Sequence, residues 1–474
     1  MQTTICQKTL NVKSKILFIL FIACSQLWAT KPNNKTELLD SIASDSSLFS
    51  DKWDSVLSGE QHYVLHEIEV IGYGTQKKRD LTGSVASLKF EENTAHHQSN
   101  SVAEELTGKL AGVHIISTDG SLDANAKITI RGGGSITQDN SPLYIIDGFP
   151  ANSIEDIPLS EIKSIDVLKD ASATAIYGAQ GANGVIIITT FGGKINKTSV
   201  SYNSYYGIRW LSRELKVLSP YDYALLQYEL ASSDDESLVD YSKLFGNYSD
   251  IDLYKEIPQT DWQNKVFGEI GFLTSQNIII KGGNEKTDFR INYTYDDNNG
   301  IMVGSNLEKH SAGINLNTKL SNRCKIEINT TYIHKKSLGA GTSSEGSTST
   351  SRLKNAVTYA PLDCLAFSNL DDATYETGSS LYDPLSIIND DYRKMTSTLL
   401  RGNVALSLFF LPQKNLIWRN ELSGCGENDE TQRGYGITTS QAQQYGQQPL
   451  AYILNEENNK LREMSSLTFD RQLN

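Results

Sequence analysis

Behind residue 195 the chain repeats one pattern, an alternation of apolar and polar residues with a period of two. Residues 288–296 put Phe289, Ile291, Tyr293 and Tyr295 on one face of an extended strand and Arg290, Asn292 and Thr294 on the other. Asp297-Asn298-Asn299-Gly300 reads as the turn that ends it. The same alternation sets Val200, Tyr202, Tyr206 and Trp210 against Ser201, Asn203 and Arg209, and Ile314, Leu316 and Leu320 against Asn315, Asn317 and Lys319. It returns with Ile326, Ile328 and Tyr332 against Lys325, Glu327 and Asn329, and with Leu400, Val404, Leu406 and Leu408 against Arg401, Asn403 and Ser407. A soluble sandwich shows this pattern too, but strands of roughly nine to eleven residues favour a membrane barrel. Two long segments interrupt the strands. Residues 213–268 hold a Tyr-rich helical stretch from Ser219-Pro220-Tyr221 onward, and residues 338–396 begin rich in Gly, Ser and Thr. In a barrel these are extracellular loops.

Ahead of the strands, residues 81–195 read as a small α+β domain. Ser101 caps a predicted helix with Glu104 and Glu105 in its first turn, Leu106 and Leu110 on one face and Gly112 at its end. Val113–Ile116, Ala126–Ile130 and Leu143–Ile146 read as strands, with Asp147-Gly148 a turn signal. Ser160–Asp170 is a short turn or helical start leading into a strand over Ile162–Leu168. Ala171–Tyr177 reads as helix, Gly178–Asn183 as loop, Asn183-Gly184 as a tight turn and Val185–Thr190 as a buried strand.

The N-terminus adds a targeting signal. Lys13 and Lys15 precede the apolar run Ile16–Cys24, too short to span a bilayer but the length of a signal-peptide core. Two readings stand: cleavage after Ala29, giving a signal peptide over 1–29, or lipidation at Cys24. Residues 30–66 read as a polar linker with one short helix at Thr36–Leu48. Residues 67–80 open with the extended apolar patch Glu67-Ile68-Glu69-Val70-Ile71-Gly72-Tyr73-Gly74, which adds to another protein's sheet or forms an edge strand of its own domain.

Composition narrows the function. The net charge of −13 argues against a nucleic-acid partner. Cys324, Cys364 and Cys425 are far apart and give no disulfide framework or zinc spacing. Gly181-Ala182-Asn183-Gly184 lacks the Lys-Ser/Thr of a phosphate loop. His96-His97 is read as an exposed pair, and Asp296–Gly300 lacks the twelfth-position Glu of a calcium loop. No motif of an enzyme, metal site or cofactor site emerges.

Phrases in a fixed order then bring in a family: Val70–Lys78, Leu81-Thr82-Gly83-Ser84-Val85, Ile130-Arg131-Gly132, Pro142–Gly148 and Val167-Leu168-Lys169-Asp170 running on to Tyr177-Gly178. With them the chain resembles the SusC/RagA family of TonB-linked outer-membrane proteins. The resemblance implies an α+β plug domain followed by antiparallel transmembrane β-barrel strands, with the plug over 81–195 and the barrel over 196–474. It implies that Glu67–Gly74 is a TonB box meeting the energy-transducing protein TonB, and that a SusD-like surface lipoprotein, outer-membrane lipid and an oligosaccharide or peptide cargo are partners. Arg131, Gly132, Asp147, Gly148, Lys169, Asp170, Tyr177 and Gly178 carry the plug motif. Of these, Arg131 and Asp147 are candidates for polar contacts between plug and barrel wall, or for satisfying backbone groups within the plug. The resemblance also implies 22 barrel strands, a number that leaves a plugged lumen. The residues after Ile195, less the two long segments, allow at most about a dozen strands at roughly ten residues each plus turns. Ser466–Asn474 reads as a strand stopped in mid-course, so the barrel is expected to be incomplete and the chain to be the N-terminal part of an importer. A secreted soluble β-rich glycan-binding protein and a non-functional gene remnant are the alternatives.

Overall fold

A computed structural model describes residues 68–71, 74–77, 85–90, 101–116, 121–123, 126–132, 135, 139–155, 157–193, 197–233, 235–339, 352–362, 382–410, 416–446 and 448–469. The signal peptide, the linker with its short helix, Glu67, Gly72, Tyr73, His96, His97 and Cys364 lie outside the described residues.

The described chain starts with a hairpin. Strands β1 (Ile68–Ile71) and β2 (Gly74–Lys77) pair antiparallel, with Val70 opposite Thr75. They form a two-stranded sheet of their own. The plug follows with β3 (Val85–Lys89), helix α1 (Val102–Leu106), β4 (Val113–Ile116), β5 (Lys127–Ile130), β6 (Leu143–Ile146) and β7 (Phe149–Ala151). A 3-10 turn over Leu159–Glu161 leads into β8 (Ile162–Leu168), and α2 (Ala171–Thr174) with a second 3-10 stretch precedes β9 (Val185–Thr190). Five of these strands form one sheet in the order β3-β8-β9-β6-β7, in which only β6 and β9 run parallel. Strands β4 and β5 pair separately.

The plug core is conventional. Val102, Leu106, Ile128, Ile165, Val167, Ile186 and Ile188 are buried together. Ile145, Leu168, Val185 and Ile187 fill the other face of the sheet, with Tyr177 packed against them. Strand β9 is apolar on both faces because both are covered. The cap at Ser101 forms as expected, its hydroxyl accepting from the Glu104 amide at 3.2 Å. The helix is shorter than the expected one: it stops at Leu106, and the chain turns through Gly108 and Gly112, both at positive φ, to bring buried Leu110 onto the same core. Two features were not expected. Strand β7 makes Asp147-Gly148 the two-residue loop of a hairpin, with both residues at positive φ (47° and 87°), as a type I′ turn demands. Glu155 supplies a second cap to α1, its carboxylate accepting from the Val102 and Ala103 amides at 3.1 and 3.0 Å.

The wall is one antiparallel sheet of eight strands, each paired with the next: β10 (Ser199–Arg209), β11 (Gly271–Gly283), β12 (Thr287–Asn299), β13 (Asn306–Ser321), β14 (Cys324–Leu338), β15 (Asp391–Phe410), β16 (Leu416–Tyr435) and β17 (Leu450–Phe469). Among the described residues β10 and β17 do not pair, so the sheet is open. The later strands are 20 residues long, about twice the expected length. Pairing with long neighbours also carries β12 through Asn299, so Asp297–Asn299 is ladder and not turn. Likewise β15 begins at Asp391, inside the segment expected to be loop.

Burial in the wall runs opposite to that in the plug. On β12, Arg290 is 1% exposed and Asn292 and Thr294 are buried, whereas Ile291 is 43% and Tyr293 42% exposed. On β15, Arg401 and Ser407 are buried while Leu400 and Val404 are exposed. A soluble sandwich buries the apolar face; a lipid-facing wall around a polar interior does the reverse.

The connections sort by length to opposite ends. The connections after β11, β13 and β15 leave the strands at one end, and those after β10, β12, β14 and β16 leave them at the other. The long segments carry α3 (Pro220–Ala231), α4 (Asp235–Phe245), α5 (Trp262–Phe267), α6 (Arg352–Thr358) and α7 (Pro384–Asp390), and α8 (Ser440–Gln444) follows β16. Ser219 caps α3 by accepting from the Asp222 amide, with Pro220 in the first turn. The tyrosines of the first segment pack on one another: Ala224, Tyr241, Phe245 and Ile251 are buried with Tyr221, Tyr223, Tyr228 and Tyr254 around them. They form the core of this insert, not an aromatic girdle at the lipid boundary. Trp262, Val266, Phe267, Met302, Ala356 and Ile388 join the two long segments and the 300–305 connection in a second cluster.

Candidate functional site

The site is the interface between plug and wall. It has two fronts, and different parts of the plug supply them. The first is the turn entering β8. Glu161 ends the 3-10 turn with its side chain facing away from the plug core, and Arg290 stands on the inward face of β12. The Arg290 guanidinium donates to both Glu161 carboxylate oxygens at 3.2 Å. The two side chains are 1% and 9% exposed, and the guanidinium also lies 5.3 Å from the Phe191 ring. Further along the same front, Asn277 of β11 donates to Ser160 at 3.3 Å, and Lys309 of β13 donates to the Glu155 carbonyl at 3.0 Å. Two charges taken out of water are held only if each satisfies the other. Removing one partner of such a pair costs about 3–5 kcal/mol.

The second front is the β6–β7 hairpin and the residue after it. Arg462 of β17 donates to the Gly148 carbonyl at 2.9 Å. Asn152 donates to Glu427 of β16 at 2.6 Å and accepts from Lys460 of β17 at 2.8 Å, both at exposed positions. Exposed charged contacts of this kind contribute about 0–1 kcal/mol each. A third contact, between Arg393 of β15 and Asp123 at 2.8 Å, tethers loop residues 121–123.

The inward wall carries further charge. Glu421 of β16 accepts from Asn403 at 2.9 Å and from Arg419 at 3.4 Å, and Arg419 also pairs with Glu327. At the long-connection end Asp391 is buried between Arg352 of α6 and Arg433 of β16, so a loop helix is fixed to the wall. Between the plug and β12–β14 lies a space of about 30 Å³ bordered by Asp147, Glu161, Thr190, Asn292, Ser311 and Asn329. It is large enough for a water molecule. Among the described residues Ser311 Oγ and Asn329 Oδ1 have no protein partner there.

Most plug-motif residues make their contacts within the plug itself. Arg131, at φ 56°, pairs with Asp170, and its amide donates to the Gly112 carbonyl at 3.0 Å. Lys169 donates to the Ala111 carbonyl. These three side chains tie the end of β5, the 111–112 turn and the end of β8 together. Gly132 and Gly178 occupy positive φ, and Tyr177 packs on the sheet. Asp147 sits at the boundary of plug and wall. Its carboxylate accepts from the Thr190 amide at 2.9 Å and hydroxyl at 2.8 Å, and Arg401 of the wall is its nearby charge. Burial pushes the Asp147 carboxyl above the usual carboxylate range, and the Thr190 hydrogen bonds and Arg401 offset only part of that. Gly148 is close enough to Glu421 that a side chain there would meet its carboxylate at 3.7 Å. Of the residues expected to form a TonB box, Ile68, Glu69, Val70 and Ile71 form β1 and Gly74 opens β2. Among the described residues this pair joins neither the plug sheet nor the wall.

The sequence reading missed Glu161, Arg290 and Asn152. Arg290 was already placed on the polar face of its strand, and the missing signal was its partner, 129 residues away in sequence. Glu161 is one acid among apolar neighbours, and Asn152 lies in an irregular stretch with no periodicity.

Residues 77–185 match the TonB-dependent receptor plug domain family. The chain is 36% identical to the TonB-dependent receptor SusC of Bacteroides thetaiotaomicron over 299 residues, 61% of this chain and 28% of that one. It is 35% identical to the TonB-dependent receptor P26 of Formosa agariphila over 282 residues, 58% of this chain and 27% of that one. Its fold is similar to that of the RagAB peptide importer in the open-open state, with a TM-score of 0.62 at 23% identity, over 78% of this chain and 43% of that chain. A plug packed against an outward-apolar wall is the architecture of TonB-dependent receptors. Within that class its sequence is similar to that of the SusC/RagA family. It spans about a quarter of the length of the curated relatives it matches.

Proposed function

We propose that this chain provides the plug and the first wall strands of a TonB-dependent outer-membrane importer, with an oligosaccharide or peptide as cargo. The inverted burial of the wall around a docked plug carries this reading, because only a lipid outside and a polar solute path inside reward it. The SusC and RagAB relatives support import as the activity and a SusD-like lipoprotein as the partner at the long-connection end. Among the described residues the wall edges at β10 and β17 are unpaired, a state lipid does not tolerate, so in this reading transport belongs to a receptor with a closed wall.

In this reading Glu67–Gly74 is the TonB box, and the chain reaches the outer membrane through its signal peptide. Among the described residues strand β1 pairs with β2 alone, which leaves one edge to accept a strand from TonB. The test is Val70→Pro in the closed-wall receptor, since proline removes a ladder donor. Outer-membrane assembly, followed by fractionation, stays intact and energised uptake falls to background. Unchanged uptake overturns the assignment of the box.

A further inference from the structure

At the long-connection end the wall places two arginines face to face. Arg393, near the start of β15, is the ladder partner of Arg433, near the end of β16. Like charges directly opposite each other destabilise a sheet unless anions sit among them. Two carboxylates do so, and they come from different parts of the chain. Asp391 belongs to the wall: it lies 3.4 Å from the Arg433 guanidinium and pairs with Arg352 of α6. Asp123 belongs to the plug, in the loop between β4 and β5, and accepts from the Arg393 guanidinium at 2.8 Å. The side chains of Asp123 and Arg433 are 8% and 2% exposed, so water is no ready substitute for a carboxylate here. The Arg393 fork is only partly used. Among the described residues one terminal nitrogen meets Asp123, the other meets the Met395 sulfur at 3.8 Å, and Nε has no hydrogen-bond partner. A thioether is a weak acceptor. The plug loop reaches the long-connection end at a second point, since a Cβ on Gly300 would meet Leu122 at 3.5 Å.

We infer that Arg393 and Arg433 form a seat for a carboxylate of the cargo, and that Asp123 occupies it while the plug is in place. The inference rests on the import reading and names the chemistry of the cargo. A guanidinium offers two parallel N–H donors to a carboxylate, a match that a hydroxyl or an ammonium does not make. The arginines stay with the wall, whereas Asp123 moves with the plug. Withdrawing Asp123 alone strands a largely buried guanidinium, which is strongly unfavourable. An incoming carboxylate removes that penalty, so cargo and loop compete for the same donors, and bound cargo favours release of the loop. The carboxylate is that of an acidic sugar or of a peptide.

Binding to the full chain in detergent is measured by isothermal titration calorimetry, with trigalacturonate and its methyl ester, and with tetra-alanine and its C-terminal amide, as probes. Asp123→Ala removes the competing carboxylate and raises the affinity for at least one carboxylate probe about tenfold. Asp123→Asn does the same if the alanine variant does not fold. Adding Arg393→Gln abolishes the gain. The ester and the amide do not respond, and Asp252→Asn, which removes an exposed acid from the first long segment, gives no gain. A gain confined to trigalacturonate assigns the seat to an acidic sugar, one confined to tetra-alanine assigns it to a peptide terminus, and gains with both make it a general carboxylate seat. Equal gains for charged and neutral probes, a gain that survives Arg393→Gln or is reproduced by Asp252→Asn, or no gain with either carboxylate overturns the proposal. The readout involves no transport, so the expected gain in a receptor that imports nothing would sink the import reading alone.

Discussion

The plug and the wall are both built from β-strands rich in Ile, yet they bury opposite faces. In β9 of the plug, Val185, Ile186 and Ile188 are fully buried and the sheet is covered on both sides. In β12 of the wall, Arg290 and Thr294 take the buried positions and Ile291 and Tyr293 the exposed ones. Alternation alone fixes only which residues share a face, because a strand's side chains point to its two sides in turn. Which face turns inward depends on what lies against it. The plug core excludes water with apolar side chains, whereas the wall meets a polar plug surface and must satisfy each group it encloses. The junction therefore holds the structure's most demanding contacts, with Glu161 and Arg290 in first place.

The largest effect expected follows from that junction. Glu161→Ala leaves Arg290 buried without its carboxylate and weakens seating of the plug by about 3–5 kcal/mol. Urea unfolding of the plug, followed by protection of its backbone amides, measures this. A loss under 1 kcal/mol would mean that water reaches the pair and that the two fronts are equivalent.

A pair of matched truncations tests the inversion of burial. Ile186→Ala removes side-chain volume from the plug core and costs about 2–5 kcal/mol. The same change at Ile291 removes atoms that face outward and costs well under half as much in detergent. Equal losses would show that the outer face of the wall is packed against protein.

The smallest effect sharpens the boundary between the two regions. Asp147 has its folded pKa raised by burial above the ordinary value of 3.8. Its ionised form is therefore disfavoured in the folded protein, and stability is fully present below pH 3.8 and declines as pH rises through the raised folded value. Measured against Asp147→Asn, the wild-type chain loses relative stability across that window and then stays level at higher pH. A carboxyl titration by NMR with its midpoint below 3.8 would place Asp147 in a solvated site dominated by Arg401.

Much of this was legible in the residues. The order of elements from Ser101 to Thr190 follows from the Ser101 cap, the Asp147-Gly148 and Asn183-Gly184 turns and the apolar run of β9, each a local signal. The alternation at 288–296 assigned Arg290, Asn292 and Thr294 to one face and Ile291 and Tyr293 to the other. Lengths were less legible. Strands β15–β17 run to 20 residues because each extends as far as its neighbour offers a ladder, and the neighbour is not encoded locally. The α1 boundary was misjudged for a related reason: Leu110 reaches the core through a turn as readily as through a helix.

By itself, the sequence determined the local geometry: which residues turn the chain, which cap a helix and which share a strand face. It also held the ordered plug phrases that mark the family. Only the tertiary structure decided that the polar face of the wall is the buried one, and that Glu161 meets Arg290 while Arg131 stays within the plug with Asp170. It also decided that Asn152 meets Glu427 of β16 and Lys460 of β17. The physical reason is range. Turns, caps and periodicity are settled within a few residues of backbone. The partner of a buried charge is chosen by the desolvation it must escape, and that depends on segments brought together from more than a hundred residues apart.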